Sequence, residues 1–415
     1  MATRLYGIVW RWHFLAGVIA CPIVFVIALT GALYAFQPEL DRALNPKLLV
    51  VEPTGARRPV DELVRAAPVS CTVIGINLPS AADRPATVYC TQGTRREVYI
   101  DPYRATLLGE RDVGDSFFTI VFGLHWDLLL GNPGRIVIEW ASSWTLLLLL
   151  SGAVLWWPRG KRGGVWRPRR DVHGRQWLRD LHAVFGAYAL PVLLAVTATG
   201  LMWTLYAGEK HWHPLTEDAV HEAWDHPPRS TVRGERIATE QALAAARPAN
   251  DTRAVYIALP AAPETPYTFL FYDDTFETAS IASSVWVDAY ASTRLLEMTW
   301  DDRSVAGKLD SVAYNVHVGA ILGLPGRIAA CTAALILAAL CVTGPWMWWK
   351  RRPRGGLGIP PRARRTPWLL LALLAALGWL LPTVGATLVA VVLIELALWL
   401  RRMHVAARTP PGSPD

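Results

Sequence analysis

HFLAGVIACPIVFVIALTG, residues 13–31, and HAVFGAYALPVLLAVTATG, residues 182–200, share one signature, H-x3-G-x4-P-x7-T-G. Placing His13 over His182 sets Gly17 over Gly186, Pro22 over Pro191, Thr30 over Thr199 and Gly31 over Gly200. The apolar runs around them extend from Phe14 to Phe36 and from Ala183 to Leu205. Each is long enough to cross a bilayer, which takes about 20 helical residues because hydrocarbon tolerates no unpaired backbone group. A second pair of segments repeats independently. HWDLLLGNPGR (125–135) aligns with HVGAILGLPGR (317–327), and the same ungapped register sets Gly152 over Gly344 and Trp156-Trp157 over Trp348-Trp349. The apolar runs Ile136–Trp157 and Ile328–Trp349 make two further spans. Two independent ungapped matches define a duplicated two-helix repeat.

Within each repeat a long polar insert separates the two spans, 37–115 in the first and 207–310 in the second. VYIDPY (98–103) resembles VWVDAY (285–290), and each alternates like a strand before a turn. Thr239–Ala246 is alanine-rich and helix-prone, while Val255–Leu259 and Thr268–Tyr272 read as strands. Each insert is therefore expected to be a small α+β domain. A unit that crosses the membrane twice repeats in the same orientation, so the expected symmetry is a pseudo-twofold axis along the membrane normal.

Charge sets the orientation. The net charge of +7 is concentrated beside the spans rather than spread over a nucleic-acid-binding face. Arg159, Lys161, Arg162, Arg167, Arg169, Arg170, Arg175 and Arg179 lie between spans two and three, and Lys350, Arg351, Arg352, Arg354, Arg362, Arg364 and Arg365 follow span four. Short basic loops stay in the cytoplasm, which places both inserts outside and Met1 inside. The first apolar run exceeds the h-region of a signal peptide, about 7–15 residues, and reads as an uncleaved signal anchor. Trp368–Leu400 is longer than one crossing needs. Pro382 to Gly385 near its middle, with Arg364, Arg365, Arg401 and Arg402 on its flanks, points to a hairpin returning to the cytoplasm; one long tilted helix is the alternative.

The expected order is thus a first span in 1–36, insert 37–115, a face helix and second span in 116–157, and a basic loop 158–180. A third span in 181–206, insert 207–310, a face helix and fourth span in 311–350, and a basic loop 351–367 follow. The hairpin 368–400 and a cytoplasmic tail 401–415 complete the chain. Cys21, Cys331 and Cys341 fall within spans as packing residues, whereas Cys71 and Cys90 share the first insert and are expected to pair in an oxidising compartment.

Ionisable groups near a membrane span are functional candidates by default. His13 and His182 fall at the cytoplasmic ends of spans one and three, and His125 and His317 just outside spans two and four. Equivalent residues face one another across a pseudo-twofold axis, so each pair is placed to hold one planar cofactor from both sides. Haem b suits such pairs, because its iron takes two axial imidazoles and its macrocycle is apolar. Arg135 and Arg327, ten residues after the outer histidines, are the expected partners of its propionates; Arg11 and Arg179 near the inner pair serve equally well as interfacial anchors. Gly17, Gly31, Gly186 and Gly200 offer close approach to a ring or to a neighbouring helix.

The repeated H-x3-G…P…T-G spans, the H…P-G-R…G…W-W spans and the V-x-x-D-x-Y turns resemble the PepSY-associated transmembrane family, over about residues 5–352. The resemblance implies an α-helical polytopic protein of the bacterial inner membrane with two periplasmic PepSY-like α+β domains. It also implies two haems b ligated by His13, His125, His182 and His317, and reduction of periplasmic ferric chelates such as ferric siderophores. In the second insert His211, His213, His221 and His226 stand among acidic residues. HEAWDH (221–226) misses the zinc-protease spacing by one residue. His211 and His213 are candidates for substrate iron, against the plain alternative of a solvated acidic loop. No G-x-G-x-x-G is present, so no flavin or nicotinamide site is expected and the electron donor stays open. Two readings compete with the electron conduit: a non-enzymatic periplasmic binding or regulatory protein, and a transporter with histidines along its path.

Overall fold

A computed structural model describes residues 2–92, 94–157, 164–273, 278–353, 356, 358 and 368–408. Arg159, Lys161, Arg162, Arg354, Arg362, Arg364 and Arg365 of the basic loops lie outside the described residues, and of Arg401, Arg402 and His404 only the backbone is described. In chain order the elements are helices α1 (Ala2–Tyr34), α2 (Gln37–Leu44), α3 (Pro46–Leu49) and α4 (Val60–Arg65), then strands β1 (Thr72–Leu78), β2 (Ala86–Gln92), β3 (Thr94–Asp101) and β4 (Thr106–Asp112). Helices α5 (Phe117–Trp126), α6 (Asn132–Trp156) and α7 (Arg175–Gly200) follow, then a π-helical segment Leu205–Trp212, α8 (His213–Thr216), α9 (Ala219–Asp225) and α10 (Thr239–Ala246). Next come β5 (Ala254–Ala258), β6 (Tyr267–Asp273), β7 (Thr278–Val287) and β8 (Arg294–Met298), and last α11 (Val305–His317), α12 (Gly323–Arg351), α13 (Trp368–Leu380) and α14 (Pro382–Arg408).

Among the described residues, four helical stretches are long and apolar enough to cross a membrane: Leu5–Tyr34, Asn132–Trp156, Arg175–Trp203 and Ala320–Arg351. The protein is a polytopic membrane protein. α1 packs against both α6 and α12, and α7 does the same. Pro22 and Pro191 sit inside α1 and α7 without ending them, as neighbouring helices allow in a span. In the C-terminal region a Cβ on Gly385 would lie 3.2 Å from Gly378 Cα. A straight helix would separate residues seven apart by about 10.5 Å, so the chain reverses at Leu381 and α13 and α14 form a helical hairpin. α13 has 13 residues and spans about 20 Å. The hairpin is held on α6, where Trp140 Nε1 donates to Thr387 Oγ1 at 3.0 Å and Leu381 and Val384 are buried.

The two inserts do not stand apart as the sequence suggests. They form one antiparallel sheet of eight strands, in the order β4-β3-β2-β1-β5-β6-β7-β8. The seam is β1 against β5, with Ile76 opposite Ile257 and Asn77 opposite Tyr256. Alternation puts Ile76, Val88, Val98, Ile100, Ile257, Phe269, Phe271 and Val285 on one face, where α4 and α10 cover them and complete a single core. Joining along the seam protects an edge strand of both halves. The disulfide Cys71–Cys90, with Cα atoms 5.3 Å apart, ties the approach to β1 onto β2. The V-x-x-D-x-Y turns take the same form in both halves: Tyr103 N donates to Asp101 Oδ1 and Tyr290 N to Asp288 Oδ1, each at 2.8 Å.

Helices α4 and α10 cap one another across the seam. Thr239 N and Glu240 N donate to Asp61 at 2.9 and 3.0 Å, and Val60 N donates to Glu240 Oε2 at 2.7 Å. An acidic cap satisfies backbone donors and meets the positive end of a helix. Replacing Asp61 by Ala is expected to cost about 1 kcal/mol, seen as a lower thermal midpoint of the purified protein; an unchanged midpoint would show that the cross-seam caps contribute nothing.

Candidate functional site

His125 sits near the end of α5 and His317 at the end of α11, so both rings turn inward from short helices lying against α1 and α7. Their ring centres are 6.2 Å apart with planes at 49°. His125 Nδ1 donates to the Ile27 carbonyl at 3.0 Å, and His317 Nδ1 to the Val196 carbonyl at 2.9 Å. Ile27 and Val196 are equivalent in the alignment of residues 13–31 with 182–200. The Thr30 and Thr199 hydroxyls reach the same two carbonyls at 3.1 Å each, as well as Val26 O and Ala195 O at 2.7 Å.

At the opposite end of the bundle the same arrangement recurs with hydroxyls. His13 Nδ1 lies 2.9 Å from Ser151 Oγ, and His182 Nδ1 lies 3.0 Å from Thr343 Oγ1. Each hydroxyl spends its own hydrogen on its helix, Ser151 on Leu148 O at 3.1 Å and Thr343 on Ala339 O at 3.0 Å. A hydroxyl so engaged can accept from the imidazole beside it. His125 and His317, facing carbonyls, carry a proton on Nδ1, which in the neutral ring leaves Nε2 bare, the state in which an imidazole ligates a metal.

A glycine stands against every ring. A Cβ at Gly31 would come within 2.9 Å of His125 Cε1, and at Gly200 within 2.6 Å of His317 Cε1. At Gly152 it would meet His13 Cε1 at 3.4 Å, and at Gly344 His182 Cε1 at 3.5 Å. The glycines at 31, 200, 152 and 344 that mark the two sequence matches are therefore the places where a ring lies on helix backbone. Gly17 and Gly186 do something else, since Leu148 and Leu340 pack there at 3.8 and 3.5 Å. Aromatic walls repeat too, with Tyr34 on Phe122 at 5.4 Å and Trp203 on Tyr314 at 5.9 Å, while Trp203 also flanks His317 at 5.8 Å.

Arg135 and Arg327 mark the outer mouth. Arg135 pairs with Glu209 at 2.5 Å and covers the Trp126 ring, and Arg327 pairs with Glu39 at 2.6 Å and covers the Phe36 ring. Each arginine thereby meets a carboxylate that follows a span of the other sequence half. Ungapped extension of the alignment would set Glu39 over Gly208. The wider turns of the π-helical segment Leu205–Trp212 accommodate the one-residue offset and bring Glu209 into the same role. Arg179 pairs with Asp180 at 2.7 Å. The histidines of the second insert do not converge. His211 Nδ1 bonds the Tyr206 carbonyl, His221 pairs with Asp218 at 2.9 Å, and among the described residues no group of three or more His, Cys, Asp or Glu could hold a metal.

The family model of the PepSY-associated TM region matches residues 10–351. The chain belongs to this family. A Pseudomonas aeruginosa relative, Uncharacterized protein PA4219, is 36% identical over 83 residues, which cover 20% of this chain and 21% of the relative. The match therefore spans about a fifth of that protein's length. In this PepSY-associated protein two buried acids escaped the sequence reading. Glu139, fully buried in α6, accepts from Tyr206 N at 2.7 Å and Ala207 N at 3.3 Å and so caps the π-helical segment. Asp180, also fully buried, takes Arg169 at 2.8 Å and folds the chain after residue 163 onto α7. A lone carboxylate inside an apolar run was the available signal for Glu139.

Substituting Gly200 by Ala is expected to push His317 off the Val196 carbonyl. Overpacking of a tight site typically costs about 1–3 kcal/mol. The thermal midpoint should fall, and the histidine Nδ1–H resonance in NMR should lose its hydrogen-bonded shift; retention of both would show that the ring has room there.

Proposed function

We propose that the protein is a haem-dependent transmembrane electron conduit that reduces ferric iron, as a ferric siderophore, on the periplasmic face of the bacterial inner membrane. One observation carries the reading: the opposed outer imidazoles, His125 and His317, with ring centres 6.2 Å apart and both Nδ1 protons committed to backbone carbonyls. Two metal–nitrogen bonds of about 2 Å, with roughly 1.1 Å from each nitrogen to its ring centre, add to about 6 Å. The residues present therefore fit a bis-imidazole iron. The inner histidines, His13 and His182, each have a hydroxyl at Nδ1 and a glycine behind the ring, which supports a second such site. Haem b held there would supply one-electron iron chemistry at two depths in the membrane. A conduit of this kind needs no acid, base or nucleophile from the protein.

The protein's own contribution is to fix the imidazoles and exclude water. Carbonyl and hydroxyl acceptors hold the rings in one orientation, and the glycines bring helix backbone against them. Arg135 and Arg327 are assigned to their clamps with Glu209 and Glu39, and a propionate would have to share them with these carboxylates. In this reading the repeat arose by duplication, the basic loops are cytoplasmic and the sheet is periplasmic. The donor is a cytoplasmic-side reductant or a quinol, and weaker chelation of Fe(II) releases the metal after reduction.

The absorption spectrum of protein purified from haem-replete cells tests this. A low-spin Soret and α-band pattern that sharpens on reduction is expected. Replacing His317 by Ala should lower haem content by about half, because the outer of the two sites would lose one of the two imidazoles that would hold its haem. Reduction of a ferric siderophore by membrane vesicles should fall with it. Wild-type protein without haem would leave a binding role for the sheet instead.

A further inference from the structure

Seen from the face opposite α4 and α10, the sheet is covered at its two ends and open at its middle. At one end Leu48 of α3 packs against Gly109 of β4, and Asp41 of α2 takes Arg111 at 2.9 Å. At the other end Trp224 of α9 packs on Trp286 and donates to Ser284 Oγ at 3.1 Å. Between them, over the β1/β5 seam, an open cavity of about 440 Å³ remains. Its walls come from two neighbouring rows of one sheet face: Glu97 opposite Tyr89 on β3 and β2, a row that reaches Gly75 on β1, and beside it Asn77 opposite Tyr256 on β1 and β5, with Leu270 next on β6. Val113, in the segment entering α5, also lines it. From Phe117 to His125 that helix rises about 12 Å, so one short helix links the cavity to the outer histidine pair.

The lining is chemically selective. Tyr89 and Tyr256 meet edge to face at 5.7 Å, and Tyr272 donates to Asn77 Oδ1 at 2.7 Å. Gly75 makes the arrangement possible, because a Cβ there would lie 2.8 Å from the Tyr256 hydroxyl. The Glu97 carboxylate is already met by Arg111 at 3.1 Å and by the Tyr99 hydroxyl at 2.5 Å. Arg95 adds a cation to the lining that neither of these contacts uses. Burial, and then the neighbouring Glu97 charge, push the Tyr89 phenol above its usual range. At neutral pH it is a hydrogen-bond donor and an aromatic face rather than a phenolate that would strip iron from a ligand.

We propose that this cavity, lined by Asn77, Tyr89, Arg95, Glu97, Tyr256 and Tyr272, binds an intact anionic chelate of the tris-catecholate type. Catecholate rings match the tyrosine faces, their oxygens accept from phenol O–H groups, and the net negative charge meets Arg95. For its ferric ion the proposal rests on the reductase reading above. Binding itself moves no electron and can be measured apart from it.

The gallium(III) tris-catecholate complex, which cannot be reduced under these conditions, is the probe. Titrated calorimetrically into the full-length protein in detergent, it should bind one equivalent saturably. Arg95→Glu and Tyr256→Ala should each weaken binding by about tenfold or more, as for a lost charge-assisted hydrogen bond, with elution profile and visible spectrum unchanged. No saturable binding to the wild type, or binding to both variants as tight as wild type, overturns the assignment. Binding by a protein that carries no haem upholds the cavity and removes the reductase reading, so the two fail separately.

Discussion

A buried imidazole in an apolar bundle must place its N–H somewhere, and here that requirement organises the membrane domain. The outer rings donate from Nδ1 to Ile27 O and Val196 O, and the inner rings set Nδ1 against Ser151 Oγ and Thr343 Oγ1. Leaving such a donor unpaired in a low-dielectric interior costs more than the bond itself contributes. Ring orientation, tautomer and the distance between His125 and His317 follow from it. The glycines behind the rings follow as well, since any side chain at Gly31 or Gly200 would occupy the space of an imidazole.

The two sequence halves are locked together by contacts that come in reciprocal pairs. Arg135–Glu209 and Arg327–Glu39 cross between the halves at the membrane surface, and the Asp61 and Glu240 caps cross at the sheet seam. On α2 the two ends meet. Glu39 reaches down to Arg327 beside the outer pair, while Asp41 reaches up to Arg111, which in turn holds Glu97 at the cavity wall. Guanidinium forks suit such links, because several donors in a fixed plane tie two partners at once. The sheet and the outer histidines are therefore one mechanical unit joined through a helix of 8 residues.

Reciprocity has exceptions, and they fall where one half has a different task. Glu139 on α6 corresponds in the alignment to Cys331 on α12. Glu139 caps a π-helical segment, whereas Cys331 Sγ lies 3.6 Å from the Ala32 carbonyl beside an ordinary helix end. The π-helical turns widen the chain path after the third span and leave backbone N–H groups that a carboxylate must satisfy. The C-terminal hairpin also docks on α6, through Thr383 and Thr387.

The sequence alone pointed to the four spans, to His125 facing His317, to the Cys71–Cys90 pair and to the break at Pro382. Each of these is written in patterns a few residues to a few turns long: apolar run length, ungapped repeats of H, G, P and T, and a proline inside an apolar stretch. Only the tertiary structure decided that the inserts share one sheet, because strand edges carry no address for their partner and β1 finds β5 although three long stretches of helix lie between them in the chain. It alone showed Ser151 and Thr343 as imidazole partners and Glu209 and Glu39 as the arginines' counter-ions. It alone placed Tyr89, Tyr256 and Arg95 around one cavity. Those partnerships depend on which helix faces and strand registers come together, and long-range packing sets that, not local pattern.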